Sequence, residues 1–386
     1  KLKDDYAEAH NNLGIILHDM GRLNEAKRSY KRTIKLQPMN AKAHNNLGVT
    51  LEEMGRLPEA EAVLRKAIEF DPGFIGAMLN LSLVHNYMNN LEAEVYLLKE
   101  ILKIDTDTIG LKAKVNLAIS EFLNNDLSDS KRILLESSNI QKISSNDYKN
   151  ERIYHNYLLK IIKYHERNTL SFNEIGNNEI IYIIGESHSL TSHGLQISFM
   201  NKEFICVSKL IFGCKQWHLG NTSENKFKYK FEKIFKSLPK RSHVLLAIGE
   251  IDCRIDSGII EYNKNYPENS LDDIITSTIE NYLSYIDKNN ITAQHDIIIQ
   301  GIPCPNIHIK NTSKNEVAEL IKVIRMFNKE LKLKSKEKGF GFLDTSTLTN
   351  RGDGFSNANW HIDDYHLSPG GMLEAWRRYT PENAKG

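Results

Sequence analysis

Three short polar clusters carry residues whose types and spacing can do chemistry. They are Gly185-Glu186-Ser187-His188-Ser189, Gly249-Glu250-Ile251-Asp252-Cys253-Arg254 and Asp363-Asp364-Tyr365-His366-Leu367-Ser368-Pro369-Gly370. A serine on a strand-to-helix turn can present its hydroxyl beside its own N–H at a helix start, where negative charge is favoured. An Asp and a His three residues apart can be placed so that the carboxylate orients the imidazole, which then takes the serine proton. The chain order Ser, Asp, His is one of several that build this arrangement. Ser187, Asp363 and His366 are therefore the candidate catalytic residues, with Asp364 as the alternative acid. The competing structural reading is that Ser187 only caps a helix. His188, His193, His361 and His366 could instead gather a metal, but no pair has helical i,i+4 spacing with a third ligand in sight. No metal and no cofactor is expected.

Strands must hold these residues. Residues 180–184, Ile180-Ile181-Tyr182-Ile183-Ile184, form a short continuous apolar run, the mark of a strand buried on both faces. Residues 204–207, 243–248, 296–300 and 340–343 read as further strands. Residues 226–238, 271–285 and 316–332 carry helical patterns between them. Such alternation implies right-handed crossovers and a parallel sheet, with sites at the carboxyl ends of strands. The first and second clusters directly follow two of these strands.

On these blocks, residues 179–380 resemble the SGNH/GDSL hydrolase superfamily. The resemblance implies a three-layer α/β/α parallel-sheet (SGNH/flavodoxin-like) domain. The family's Gly-Asp-Ser stands here as Gly185-Glu186-Ser187, and its Asp-x-x-His-Leu as Asp363-Asp364-Tyr365-His366-Leu367. Ser187 is thereby implied as nucleophile, His366 as general base and Asp363 as its orienting partner. A glycine N–H for the oxyanion is also implied, with Gly220 the first candidate and Gly213 the second. The family's third block is Gly-x-Asn-Asp, whose Asn donates to the oxyanion. Ile251 stands at that position and cannot donate, a loss that can slow such a reaction ~100- to 1000-fold. Arg254, Asn221, His218 and His188 are the candidate substitutes. Arg254 can also hold an anionic substrate, or simply pair with Glu250 or Asp252. Trp217 and Trp360 flank the site in sequence and read equally as a sugar or acyl platform or as core.

The first third of the chain repeats itself. Ala9-His10-Asn11-Asn12-Leu13-Gly14 recurs 34 residues on as Ala43-His44-Asn45-Asn46-Leu47-Gly48, and Met20-Gly21-Arg22-Leu23 recurs as Met54-Gly55-Arg56-Leu57. Ala26 matches Ala60, and Pro38 matches Pro72. A weaker third copy carries Leu81, and a fourth, with a two-residue insertion, carries Leu117-Ala118 and Ser130. Each unit reads as two amphipathic helices with a turn at Gly21 or Gly55, ended by Pro38 or Pro72. One pair cannot bury its own apolar face, so neighbours must stack. Residues 1–139 resemble the tetratricopeptide repeat family, as about four units of an α-solenoid whose opening Lys1-Leu2-Lys3-Asp4-Asp5 looks like the tail of a preceding unit. The resemblance implies a groove lined by Asn12, Asn46 and Asn80 that binds a protein or peptide partner; a plain spacer is the alternative.

Residues 140–178 read as a helical linker, with a turn at Ser144-Ser145-Asn146-Asp147 and a helix over residues 153–164. The chain has 386 residues, with Lys+Arg 50 against Asp+Glu 49. That near-neutral balance excludes a bulk nucleic-acid binder. No apolar run approaches the ~18 residues of a membrane span. Four cysteines without CxxC spacing form neither a disulfide framework nor a zinc motif, so a reduced, cytoplasmic protein is expected. The resemblances together imply a serine esterase of O-acyl groups, such as acetyl on a glycan, with repeats that dock a partner or the substrate. The alternatives are an acyltransferase using the same triad, or a degenerate SGNH-like domain in an interaction scaffold, which Ile251 favours.

Overall fold

The computed structural model describes residues 6–107, 109–168, 179–306 and 313–381. Residues 1–5, and residues 169–178 of the stretch read as a linker, lie outside the described residues. The chain divides into two compact units, one of residues 1–155 with 223–233, the other of residues 156–222 with 234–386. The division thus falls elsewhere than the expected boundaries at 139 and 178.

The first unit is a solenoid of helix pairs: α1 (Ala7–Asp19) with α2 (Leu23–Leu36), α3 (Ala41–Glu53) with α4 (Leu57–Phe70), α5 (Ile75–Tyr87) with α6 (Leu91–Ile104), and α7 (Ile109–Leu123) with α8 (Leu127–Glu136). The repeated small residues set how closely the helices approach. A Cβ on Gly14 would come within 2.5 Å of Tyr30, and one on Gly48 within 2.5 Å of Leu64. In the fourth pair, buried Ser130 donates to the Ala118 carbonyl at 2.7 Å. The turns use left-handed backbone at Gly21 (φ +70°) and Gly55 (φ +72°), where glycine avoids the Cβ penalty. Leu17, Ala26, Tyr30, Leu47, Leu64 and Leu81 share one continuous core.

Residues 223–233 belong to this first unit. Phe227 and Tyr229 pack against the repeat core. Lys226 Nζ meets Glu52 Oε1 at 2.7 Å. The buried Lys230 ammonium donates to Asn86 Oδ1. The Asn86 amide in turn donates to both oxygens of buried Glu94, at 3.0 and 2.9 Å. Burial pushes the Glu94 carboxyl up to about 7, against the opposing pull of Lys230 and Asn86. Burial likewise pushes the Lys230 ammonium down to about 8, against Glu94.

The second unit begins within α9 (Lys149–Arg167), which is longer than the expected helix. A six-stranded sheet follows, built of β1 (Glu179–Gly185), β2 (Gln196–Phe199), β3 (Lys202–Leu210), β4 (His243–Ala247), β5 (Asp296–Gln300) and β6 (Gly341–Leu343). Its order is β2-β3-β1-β4-β5-β6. Around it lie α10 (Gln216–Gly220), α11 (Lys226–Ser237, in this unit from residue 234), α12 (Ile259–Asn265), α13 (Leu271–Asn290), α14 (Lys314–Glu337), α15 (Thr345–Thr349) and α16 (Pro369–Arg378). Alternate strand residues on both faces, Ile181 and Ile183 on one and Ile184 and Leu246 on the other, are fully buried. Continuous apolar runs are what a sheet covered on both sides requires.

The sheet is mixed rather than parallel throughout, which corrects the expectation. β3, β1, β4, β5 and β6 are parallel, but β2 is an antiparallel edge strand on β3. Its two-residue link is Met200 (φ +50°) and Asn201 (φ +60°). Positive φ at both positions is the hairpin turn whose twist matches antiparallel strands.

Candidate active site

β1 lies between β3 and β4, so the chain leaves it towards one side and later crosses to the other. The carboxyl end of such a strand opens a crevice. Gly185 closes β1 because no side chain fits there: a Cβ would overlap the carbonyl of Ala247. Glu186, Ser187 and His188 follow directly, all buried, with Ser187 7% exposed.

The structure brings Ser187, His366 and Asp363 together. Ser187 Oγ lies 2.7 Å from His366 Nε2. His366 Nδ1 lies 2.9 and 2.8 Å from the two Asp363 oxygens, and the Asp363 Oδ1 atom also accepts the His366 backbone N–H at 2.7 Å. Asp363 therefore fixes both the ring and the backbone of His366. Burial would raise the Asp363 carboxyl, but the hydrogen bond and charge of His366 outweigh it and hold the group well below the usual range. Asp364 is exposed and meets Asn306 through its carbonyl. Tyr157 of α9 stacks on the His366 ring with centroids 4.1 Å apart, and its hydroxyl donates to the Ser187 carbonyl at 3.2 Å.

His188 enters the same cluster. Its ring lies 4.5 Å from that of His366. Its Nδ1 meets Glu186 Oε1 at 2.7 Å, and its Nε2 meets the Tyr365 carbonyl at 3.2 Å. The other Glu186 oxygen accepts the Ser187 hydroxyl at 2.6 Å. Burial opposes charge on both partners, but their mutual attraction wins. The Glu186 carboxyl is lowered and the His188 imidazolium is raised to about 9. One ligand atom each from Glu186, His188 and His366 lies within 4.8 Å of the others, a spacing that could hold a metal. Of these atoms, Glu186 Oε1 and His188 Nδ1 are joined by a 2.7 Å hydrogen bond, His366 Nε2 meets Ser187 Oγ, and the second nitrogen of His188 faces the Tyr365 carbonyl.

The remaining candidates lie elsewhere or are committed. Arg254 forms a fork onto Glu250 at 2.6 to 2.9 Å and covers the Tyr365 ring at 5.1 Å, so its charge is already matched. The His218 ring accepts the Lys215 N–H at 3.0 Å. Gly220 packs on α13, where a Cβ would meet Asn281 and Tyr282 at 2.9 Å. Gly220 and Asn221 line a cleft of about 530 Å³ with Lys215, Trp217, Asp252 and Tyr262. Ser187 and His366 are not among the residues lining it. Gly213 stands two residues beyond Ile211, whose N–H is bonded to the Gly185 carbonyl at 2.7 Å. Asp252 anchors the α10 start, accepting from Gln216 N at 2.7 Å and Trp217 N at 3.2 Å. His193 Nδ1 accepts from Ser208 N, and His361 Nδ1 meets Ser356 Oγ at 2.8 Å. Trp360 packs against the sheet core, whereas Trp217 is exposed.

In the first unit, Asn46 donates to Asn11 at 3.3 Å and Asn80 to Asn45 at 2.8 Å. The asparagine ladder across α1, α3 and α5 thus runs through Asn11 and Asn45, while Asn12 is exposed. Spacing had drawn attention to Asn12, Asn46 and Asn80 but not to these cross-helix partners. Glu186 and Tyr157 were likewise missed as members of the cluster. Glu186 had a signal, its place beside Ser187; Tyr157 had none.

The class these features define is a chain with an N-terminal tetratricopeptide solenoid and a mixed α/β sheet domain in its C-terminal part. A tetratricopeptide repeat family model matches residues 11–73. No curated protein matches the chain. Among solved structures, MamA is 18% identical over 35% of this chain and 78% of its own, with a TM-score of 0.33. The Pseudomonas aeruginosa pilF protein is 19% identical over 43% of this chain and 72% of its own, with a TM-score of 0.37. YrrB, a tetratricopeptide protein with an unusual peptide-binding site, is 13% identical over 43% of this chain and 80% of its own, with a TM-score of 0.35. No helix among the described residues is long and apolar enough to cross a membrane. The repeats suggest a peptide or protein partner.

Proposed function

We propose that the second unit is a serine acyl hydrolase of the SGNH type, acting on O-acyl groups. The observation that carries this reading is the chain of contacts from Ser187 Oγ through His366 to Asp363, at 2.7 and 2.8 Å. His366 Nε2 takes the hydroxyl proton as Oγ attacks an ester carbonyl. Asp363 steadies the imidazolium, the alcohol leaves with that proton, and water releases the acyl group. The strand order supports the family assignment, since β3-β1-β4-β5-β6 is the flavodoxin-like order with its site at the switch point. We assign the second oxyanion N–H to Gly213 rather than Gly220, because the β3 loop is tied to the β1 end at Gly185. An acetyl ester on a glycan is the substrate the family resemblance gives, and transfer to another hydroxyl uses the same triad. The four cysteines are free and buried, which fits a reducing cytoplasm, where the repeats would recruit a peptide or protein partner.

A second reading is a scaffold whose hydrolase-like domain does not turn over. Ile251 at the expected Asn position favours it. Hydrolysis of p-nitrophenyl acetate by wild type and Ser187→Ala decides between them. Turnover that disappears in the variant supports the hydrolase. Equal rates in both proteins, or none in either, support the scaffold.

A further inference from the structure

The Ser187 hydroxyl has one proton and two acceptors. Glu186 Oε2 lies 2.6 Å from Oγ and His366 Nε2 lies 2.7 Å from it. Glu186 cannot drift away, because His188 Nδ1 holds its second oxygen at 2.7 Å. His188 is itself held, by the Tyr365 carbonyl at 3.2 Å and by stacking on His366. Glu186 and His188 are 1% and 2% exposed, so water does not compete for these contacts.

Acylation changes what Oγ can offer. The hydroxyl proton passes to His366 Nε2, and Oγ, now bonded to the acyl carbon, has no proton left to donate. The hydrogen bond to Glu186 is lost, and an oxygen lone pair then faces a carboxylate. Hydrogen bonds to charged groups are the strong ones, so the resting serine is stabilised relative to the acylated one.

We infer that Glu186, clamped by His188, is a positioning residue that withholds the Ser187 proton from His366 and so restrains acylation until a substrate breaks the Ser187–Glu186 contact. This rests on the hydrolase reading. The carboxyl of Glu186 is held low, so the restraint acts over the whole ordinary pH range. Replacing the carboxylate by an amide removes it, because the Gln amide can donate to Oγ and leaves the serine proton to His366.

The test is the rate at which a fluorophosphonate labels Ser187 in wild type, Glu186→Gln, Glu186→Asp and Ser187→Ala. In this reaction Oγ bonds to phosphorus, the P–F bond breaks, fluoride leaves, and the hydroxyl proton goes to His366. The probe reports the chemical step without natural-substrate recognition. Glu186→Gln is expected to label ~10-fold faster, the worth of one charge-assisted hydrogen bond, at every pH from about 5 to 9. Glu186→Asp, whose carboxylate is one methylene shorter, is expected to show a smaller gain and decides the matter if the Gln variant does not fold. A merely structural role predicts slower labelling in both variants together with a lower melting temperature. Labelled wild type with no gain in either folded variant overturns the inference alone. Wild type no more labelled than Ser187→Ala overturns the hydrolase reading and the inference with it.

Discussion

His188 spends both ring nitrogens on acceptors, Nδ1 on Glu186 at 2.7 Å and Nε2 on the Tyr365 carbonyl at 3.2 Å. Burial opposes its charge, but Glu186 more than compensates and raises the group from 6.5 to about 9. A base raised on folding stabilises fully below its unfolded value and loses that contribution as pH rises through its folded value. Between pH 6.5 and about 9 this residue should therefore make stability fall with pH. Urea midpoints measured across that range should decline more steeply in wild type than in His188→Asn. Parallel curves would show that the imidazole is neutral.

Asp363 holds both the ring and the backbone N–H of His366. Asp363→Asn should keep the fold yet offer the ring an amide that favours the wrong tautomer. Under the proposed hydrolase function, ester turnover should drop by ~1000- to 10,000-fold, with an unchanged circular dichroism spectrum. Retention of a tenth of the activity would remove Asp363 from the triad.

Gly21 and Gly55 occupy the same turn of successive repeats, with φ of +70° and +72°. A Cβ on Gly21 would meet nothing within 4 Å, whereas one on Gly55 would lie 2.7 Å from the Asn225 backbone. Both Ala variants carry the left-handed penalty of ~1–2 kcal/mol. Gly55→Ala adds a clash with backbone, so it should lose at least ~1 kcal/mol more in urea denaturation, the usual range for overpacking. Equal losses would mean that residues 223–233 do not pack there in solution.

Lys230, Asn86 and Glu94 form a buried charged chain. Lys230→Met removes the cation that opposes the effect of burial on Glu94, so above pH 7, where the carboxyl would otherwise be charged, it should cost about 3 kcal/mol or more. Adding Glu94→Leu removes the stranded charge and should recover most of that loss. A double-mutant cycle measures this, and additive losses would rule out direct coupling.

The repeat array was legible from local pattern. The recurrence of Asn-Leu-Gly and Met-Gly-Arg-Leu fixes helix, turn and spacing, because each repeat uses the same short-range geometry. The strands at residues 180–184, 243–248 and 296–300 were legible for a related reason: a sheet buried on both faces demands uninterrupted apolar runs. β2 was not, because a four-residue edge strand is short and its antiparallel pairing depends on the left-handed pair Met200 and Asn201.

The sequence by itself determined the order and setting of Ser187, Asp363 and His366, whose motifs and flanking strands make them candidates for one site. Only the tertiary structure decided their company. It set Glu186 against the serine, His188 against Glu186 and Tyr157 on the imidazole, and it turned Arg254 to Glu250. It also set Gly220 and Asn221 in a cleft whose lining does not include Ser187 or His366, and ran the repeat ladder through Asn11 and Asn45. Motifs record residue types along the chain, whereas the partner each side chain turns to, whether near or far in sequence, depends on how strands and helices pack, and no spacing rule encodes that.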